Sequence, residues 1–120
     1  MTTIEKLNGV VNSLTKTKDI TSVAVVSRDG LLIVSNVKSD HAQTFAAMAA
    51  TMFMAAETAI AEIGGWTPDR VVVESDDCKL ITVTVDPKSL LFAMTEANVN
   101  LGIVLHDMKV AAYEVNDILS

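Results

Sequence analysis

The side chains in this sequence with the chemistry for metal binding or catalysis are two histidines, one cysteine and a pair of adjacent aspartates. A zinc site draws on Cys, His and carboxylate ligands at close, regular spacings, and neither His41 nor His106 has such neighbours. Cys78 follows Asp76-Asp77 in the stretch ESDDCK, which reads as a turn between strands. Two carboxylates there make a solvated hairpin tip, and calcium would need more oxygens at regular intervals. Nucleophile motifs are missing as well. There is no G-x-S-x-G, no Gly-rich phosphate cradle, and no serine with a matching histidine and acid. Gly64-Gly65 reads as the end of a helix. The expectation is a chain that is not an enzyme and takes no cofactor or metal.

Bulk composition narrows the partners. The 120 residues carry 9 basic and 15 acidic side chains, a net charge of -6, whereas nucleic acids and anionic membranes select positive surfaces. A lone cysteine makes no internal disulfide, and the opening MTTIEKLNGV lacks the basic-then-apolar layout of a signal peptide. These features predict a cytoplasmic protein with no nucleic-acid partner. The length predicts one domain over 1–120 with a core built from aliphatics, since half the residues are hydrophobic and only 4% aromatic.

The elements that must position any surface follow from periodicity. Ile4, Leu7, Val10, Val11 and Leu14 share one helical face, and Thr2 with Glu5 fits a capping box. Two β-branched runs, Ile20 to Ser27 and Leu31 to Ser35, flank Asp29-Gly30, a strong hairpin signal. A long helix follows from Ala42 to Ile63, with Ser39 or Asp40 as its N-cap and Gly64-Gly65 as its stop. The strands RVVVES, CKLITVTVD and LLFAMTE are joined by links short enough for antiparallel hairpins. Asn98 or Asn100 then caps a final helix with Leu101, Val104, Leu105, Met108, Ala112, Val115 and Leu119 on one stripe. The result is an α+β sandwich, αββαβββα, around a five-stranded antiparallel sheet. Both sheet faces read as apolar, so the long helix is placed on one and the two terminal helices on the other.

That long helix is apolar nearly all round. Its uncharged run is too short and too rich in alanine and threonine for a membrane span, so no membrane insertion is expected. At 100° per residue, Phe45, Met48, Ala49, Met52, Phe53, Ala56, Ala59, Ile60 and Ile63 form a bulky face for the sheet. The opposite side carries Ala46, Ala47, Ala50, Met54, Thr58 and Ala61 where a monomer would show Lys or Glu. Small residues at this spacing permit close helix approach and predict a symmetric homodimer. The strand with Val71, Val72 and Val73 is the first of its meander, and pairing with its own copy would remove an exposed edge. On this phase Ala50→Glu is expected to give monomer or insoluble protein, because a buried unpaired charge is not tolerated. Trp66 is either a cover for the sheet edge or a partner anchor, and Arg70 is a second candidate partner contact.

Taken in order, VAVVSRDGLLIVSN, the alanine-rich helix and LGIVLHDMKVAAYEV resemble the Roadblock family over nearly the full chain. These are the dynein light chain Roadblock proteins and their prokaryotic relatives, including partners of small Ras-like GTPases in gliding motility. The resemblance implies a homodimer whose sheet runs across the two-fold, with the long helices side by side and the strands from Arg70 to Ser75 paired. It also implies a non-enzymatic adaptor that binds a small Ras-like GTPase and stimulates or scaffolds its GTP hydrolysis. No arginine is an obvious finger: Arg28 falls in the first hairpin turn and Arg70 opens a strand. Two other readings stand beside it, a purely structural dimerisation module of a larger complex and a small-molecule sensor. The sensor would require a cavity with convergent polar groups.

Overall fold

The structure, a computed structural model, describes residues 1–17, 19–37 and 40–120. In chain order it holds α1 (Thr3–Thr15), β1 (Ile20–Ser27), β2 (Leu32–Ser35), α2 (Ala42–Gly64), β3 (Arg70–Glu74), β4 (Cys78–Asp86), β5 (Ser89–Glu96) and α3 (Leu101–Leu119). The five strands form one antiparallel sheet in the order β2-β1-β5-β4-β3. Hairpins between consecutive strands account for every neighbour except β1 and β5. That pairing brings the first and last strands together and leaves β2 and β3 as the two edges.

Local chemistry explains most boundaries. The Thr2 hydroxyl accepts from Glu5 N at 3.1 Å and starts α1, while Asn100 Oδ1 accepts from Ile103 N at 3.2 Å and starts α3. Gly30 lies at φ +88°, the left-handed region where a Cβ is strained, and closes the β1–β2 turn by donating to Ser27 O at 2.9 Å. Gly65, at φ +70°, ends α2 with its N–H on Ala61 O at 3.0 Å. The start of α2 departs from expectation. Ser39 lies outside the described residues, and Asp40 precedes the N-cap, which is His41. The first helical bond runs from Phe45 N to His41 O at 2.8 Å, and this sets the boundary. Leu31, expected in β2, precedes the strand and is exposed.

Two apolar layers enclose the sheet. On one face α1 and α3 cover Val23, Val25, Ile81, Val83, Leu91 and Ala93 with Leu7, Val11, Val104, Met108 and Val115. On the other, Ala46, Ala49, Ala50 and Phe53 of α2 pack on Ala24, Val26, Leu90 and Phe92. The expected division of helices between the faces is therefore observed. Ile4, assigned to the inner face of α1, is half exposed because it lies in the first turn, ahead of Leu7. By length and composition α2 is sufficient to cross a membrane. Its inner stripe is embedded against β1 and β5 instead, which leaves its outer surface to be explained.

Candidate interaction surface

The phase of α2 determines what the molecule displays. Ala42, Ala46, Ala49, Ala50 and Phe53 are the buried stripe. Ala46 is 0% and Ala50 2% exposed, so the two residues expected at the centre of an outward seam have no surface left for another chain. The physical cause is the hairpin. Gly30 sits against α2 so closely that a Cβ on it would lie 3.1 Å from Ala47 Cα. Arg28 Nη1 reaches Glu57 Oε1 at 2.6 Å, and its guanidinium carbon lies 5.4 Å from the Phe53 ring centroid. A cation over an aromatic face with a carboxylate partner holds the turn onto the helix. The flank carrying Ala47 is therefore partly covered by the chain's own β1–β2 turn.

The opposite flank holds Phe45 and Met52, partly buried against the same layer as Val71 of β3 and Leu80 of β4, and beyond these two residues it is exposed. Met48 is 60% and Ile63 85% exposed, and Ala59 is exposed between them. All three were assigned to the sheet-facing side, and the structure turns them outward. Met54, Thr58 and Ala61 stand exposed on the outer surface. The whole C-terminal half of α2 lacks a basic residue, and of its two acids Glu57 is held by Arg28.

β3 completes the picture. It pairs with β4 along one edge only, in the register Val71↔Thr82, Val72↔Ile81 and Val73↔Leu80. Because Thr82 pairs with Phe92 and Leu80 with Met94, Val71 and Val73 face the α2 side. Val71 and Val72 are half-buried and Val73 is exposed. The bare flank of α2 and the open edge of β3 thus lie on the same side of the sheet, at the same end. Exposed apolar surface of this kind marks interaction sites, and an unpaired strand edge is a template for another strand.

The two candidate contacts separate. Trp66 is 68% exposed and lies on the last turn of α2, where any Cβ on Gly64 would overlap its ring. It does not cover the sheet edge. With Thr58, Ala61 and Pro68 it borders a shallow hollow of about 320 Å³. Arg70 is paired with Val83 in the register, which places it on the α3 side, so Trp66 and Arg70 do not share a patch. The remaining reactive residues are dispersed. His106 Nδ1 lies 3.5 Å from Asp107, and Ser75 Oγ organises the turn before Cys78 by accepting from Asp77 N and Cys78 N. Among the described residues no three His, Cys, Asp or Glu side chains converge.

Sequence reasoning missed Met48, Ala59 and Ile63. Their hydrophobicity was visible, but a helix apolar on every side carries no internal mark of which stripe faces the sheet. The contacts of α2 with the hairpin and the sheet supply it.

Comparison with known proteins agrees with this architecture. The chain is similar to MJ1340, an uncharacterized protein of Methanocaldococcus jannaschii, with 36% identity over 110 residues that cover 91% of this chain and 96% of that one. Among solved structures, a Roadblock/LC7 domain from Streptomyces avermitilis superposes with a TM-score of 0.88 at 23% identity, covering 92% of this chain and 95% of its own. Myxococcus xanthus MglB gives 0.87 at 24% identity, covering 97% and 89%. The Roadblock/LC7 domain model matches residues 6–95. With that match spanning most of the chain and the solved relatives sharing its fold, the chain belongs to the Roadblock/LC7 domain family.

Proposed function

We propose that this chain is a single-domain, non-enzymatic adaptor that forms a homodimer and regulates a small Ras-like GTPase bound to it. One observation carries the reading: the bare flank of α2 and the open edge of β3 adjoin on one side of the sheet. Val71, Val72 and Val73 of β3 pair antiparallel with their copies and extend the sheet across a two-fold axis, which closes an isologous interface. Met48, Ala59 and Ile63 of α2 then meet the second α2, with Met54, Thr58 and Ala61 on the outer surface. A second solved MglB is described as having a tetrameric arrangement, and self-association in that protein supports the same capacity here.

The outer surface of the paired helices, together with Trp66, provides a broad apolar platform for a folded partner. Tryptophan is enriched among the residues that dominate binding energy. The Roadblock/LC7 assignment supports a small GTPase as that partner, as does the structural likeness to MglB.

The reading is tested in two steps. Chromatography with light scattering gives the mass of the assembly, and dimer mass is expected. Immobilised protein is then incubated with lysate of the source organism plus a non-hydrolysable GTP analogue or GDP, and bound proteins are identified by mass spectrometry. A Ras-like GTPase retained mainly with the analogue is the expected result. A dimer that captures no GTPase in either arm overturns the regulator reading in favour of a structural module.

A further inference from the structure

A second concavity lies on the other side of the sheet, away from the α2 surface. α3 packs on β4 and β5, and between it and the β3–β4 end of the sheet opens a cleft of about 310 Å³. Val83 and Val85 of β4 and Leu105 of α3 supply apolar lining, and Asp69, Arg70, Lys109, Tyr113 and Asn116 supply the polar groups.

Three features distinguish this cleft. In a chain with a net charge of -6, it gathers two cations against one carboxylate. Arg70 and Lys109 are also without a counterion: among the described residues the Lys and Arg ion pairs are Arg28–Glu57 and Lys79–Glu74. The Tyr113 hydroxyl and the Asn116 amide likewise make no side-chain hydrogen bond to the described residues, so donors from α3 lie along the space unspent. Guanidinium offers a planar fork suited to the two oxygens of a carboxylate or phosphate, and ammonium adds a compact charge. A concave, partly apolar wall focuses that field. The volume lies at the lower end of the range for small-molecule sites.

We propose that this cleft binds a small organic oxyanion, a carboxylate or phosphate on a compact apolar body. Arg70 and Lys109 hold the oxygens, Tyr113 and Asn116 complete their hydrogen bonding, and Val83, Val85 and Leu105 contact the body. The proposal rests on neither the dimer nor the GTPase.

The test is a ¹H–¹⁵N correlation titration of the full chain at constant ionic strength with benzoate, phenyl phosphate and the neutral analogue benzamide. The expected result is saturable shifts for at least one of the two anions at the amides of Arg70, Val85, Lys109 and Tyr113. Preference between benzoate and phenyl phosphate assigns the oxyanion. Affinity should fall at least tenfold in both Arg70→Gln and Lys109→Gln, whose exposed side chains leave the melting temperature of the protomer unchanged. Shifts that fail to saturate, scatter over the surface, persist in both variants or match those of benzamide overturn the proposal.

Discussion

Two glutamates introduced nine residues apart on one helix separate the core of α2 from its proposed interface. Ala50→Glu places a carboxylate where a 2% exposed alanine packs among Phe53, Leu90 and Phe92. An uncompensated buried charge costs about 3–5 kcal/mol, and the added bulk about 1–3 kcal/mol more. A chain of 120 residues has a stability of roughly 6–18 kcal/mol, so this variant loses a large share of it. At about 4 °C per kcal/mol the melting temperature falls by roughly 16 °C or more, and insolubility is the extreme outcome. Ala59→Glu differs because Ala59 is exposed, and a surface change costs the isolated protomer no more than about 0.5 kcal/mol. In the dimer the substitution appears twice. At about 3 kcal/mol for each desolvated carboxylate, the dissociation constant rises on the order of 10⁴-fold, since each 1.4 kcal/mol is tenfold. Light scattering and circular-dichroism melts at several concentrations read both effects. The expectation for Ala59→Glu is a native spectrum, monomer mass and a melting temperature that no longer rises with concentration. Dimer mass in Ala59→Glu, or a parent-like melt in Ala50→Glu, refutes the assigned helix phase.

Four further substitutions probe the fold that presents this surface. Gly30→Ala should destabilise by about 2 kcal/mol or more in urea titration, because a left-handed residue costs about 1–2 kcal/mol and its Cβ would press on Ala47 Cα at 3.1 Å. Gly65→Ala, equally left-handed but with open space around it, should show the smaller loss, and equal losses would deny the close approach. Thr82 is fully buried with its hydroxyl unpartnered, so Thr82→Val should raise stability by about 1 kcal/mol; a loss would mean the hydroxyl is satisfied. Glu57→Ala removes the partner of Arg28 and should cost about 1–2 kcal/mol, with the deficit shrinking in high salt.

The sequence by itself determined the elements and their order, because each rests on local chemistry. Alternation along CKLITVTVD assigned Ile81 and Val83 to one face and Leu80 and Thr82 to the other. Asp29-Gly30 marked a turn that needs a left-handed residue, and Gly64-Gly65 ended a helix for the same reason. The apolar circumference of α2 announced that more than one surface was to be buried. Even the family resemblance was legible in the ordered set of these signals.

Only the tertiary structure decided which stripe of α2 does which work. In an amphipathic helix polar residues reveal the phase, but a helix of alanine, methionine and threonine has almost none to offer. The phase is set by nonlocal contacts: Gly30 against Ala47, Arg28 on Glu57, and Phe53 in its socket between β1 and β5. These contacts draw Ala46 and Ala50 inward and turn Met48, Ala59 and Ile63 outward. The same dependence hid the α3 cleft, since Arg70 and Lys109 are 39 positions apart and meet only because α3 packs on β4. Local propensity writes the elements, and their rotation about their own axes is decided by what they pack against.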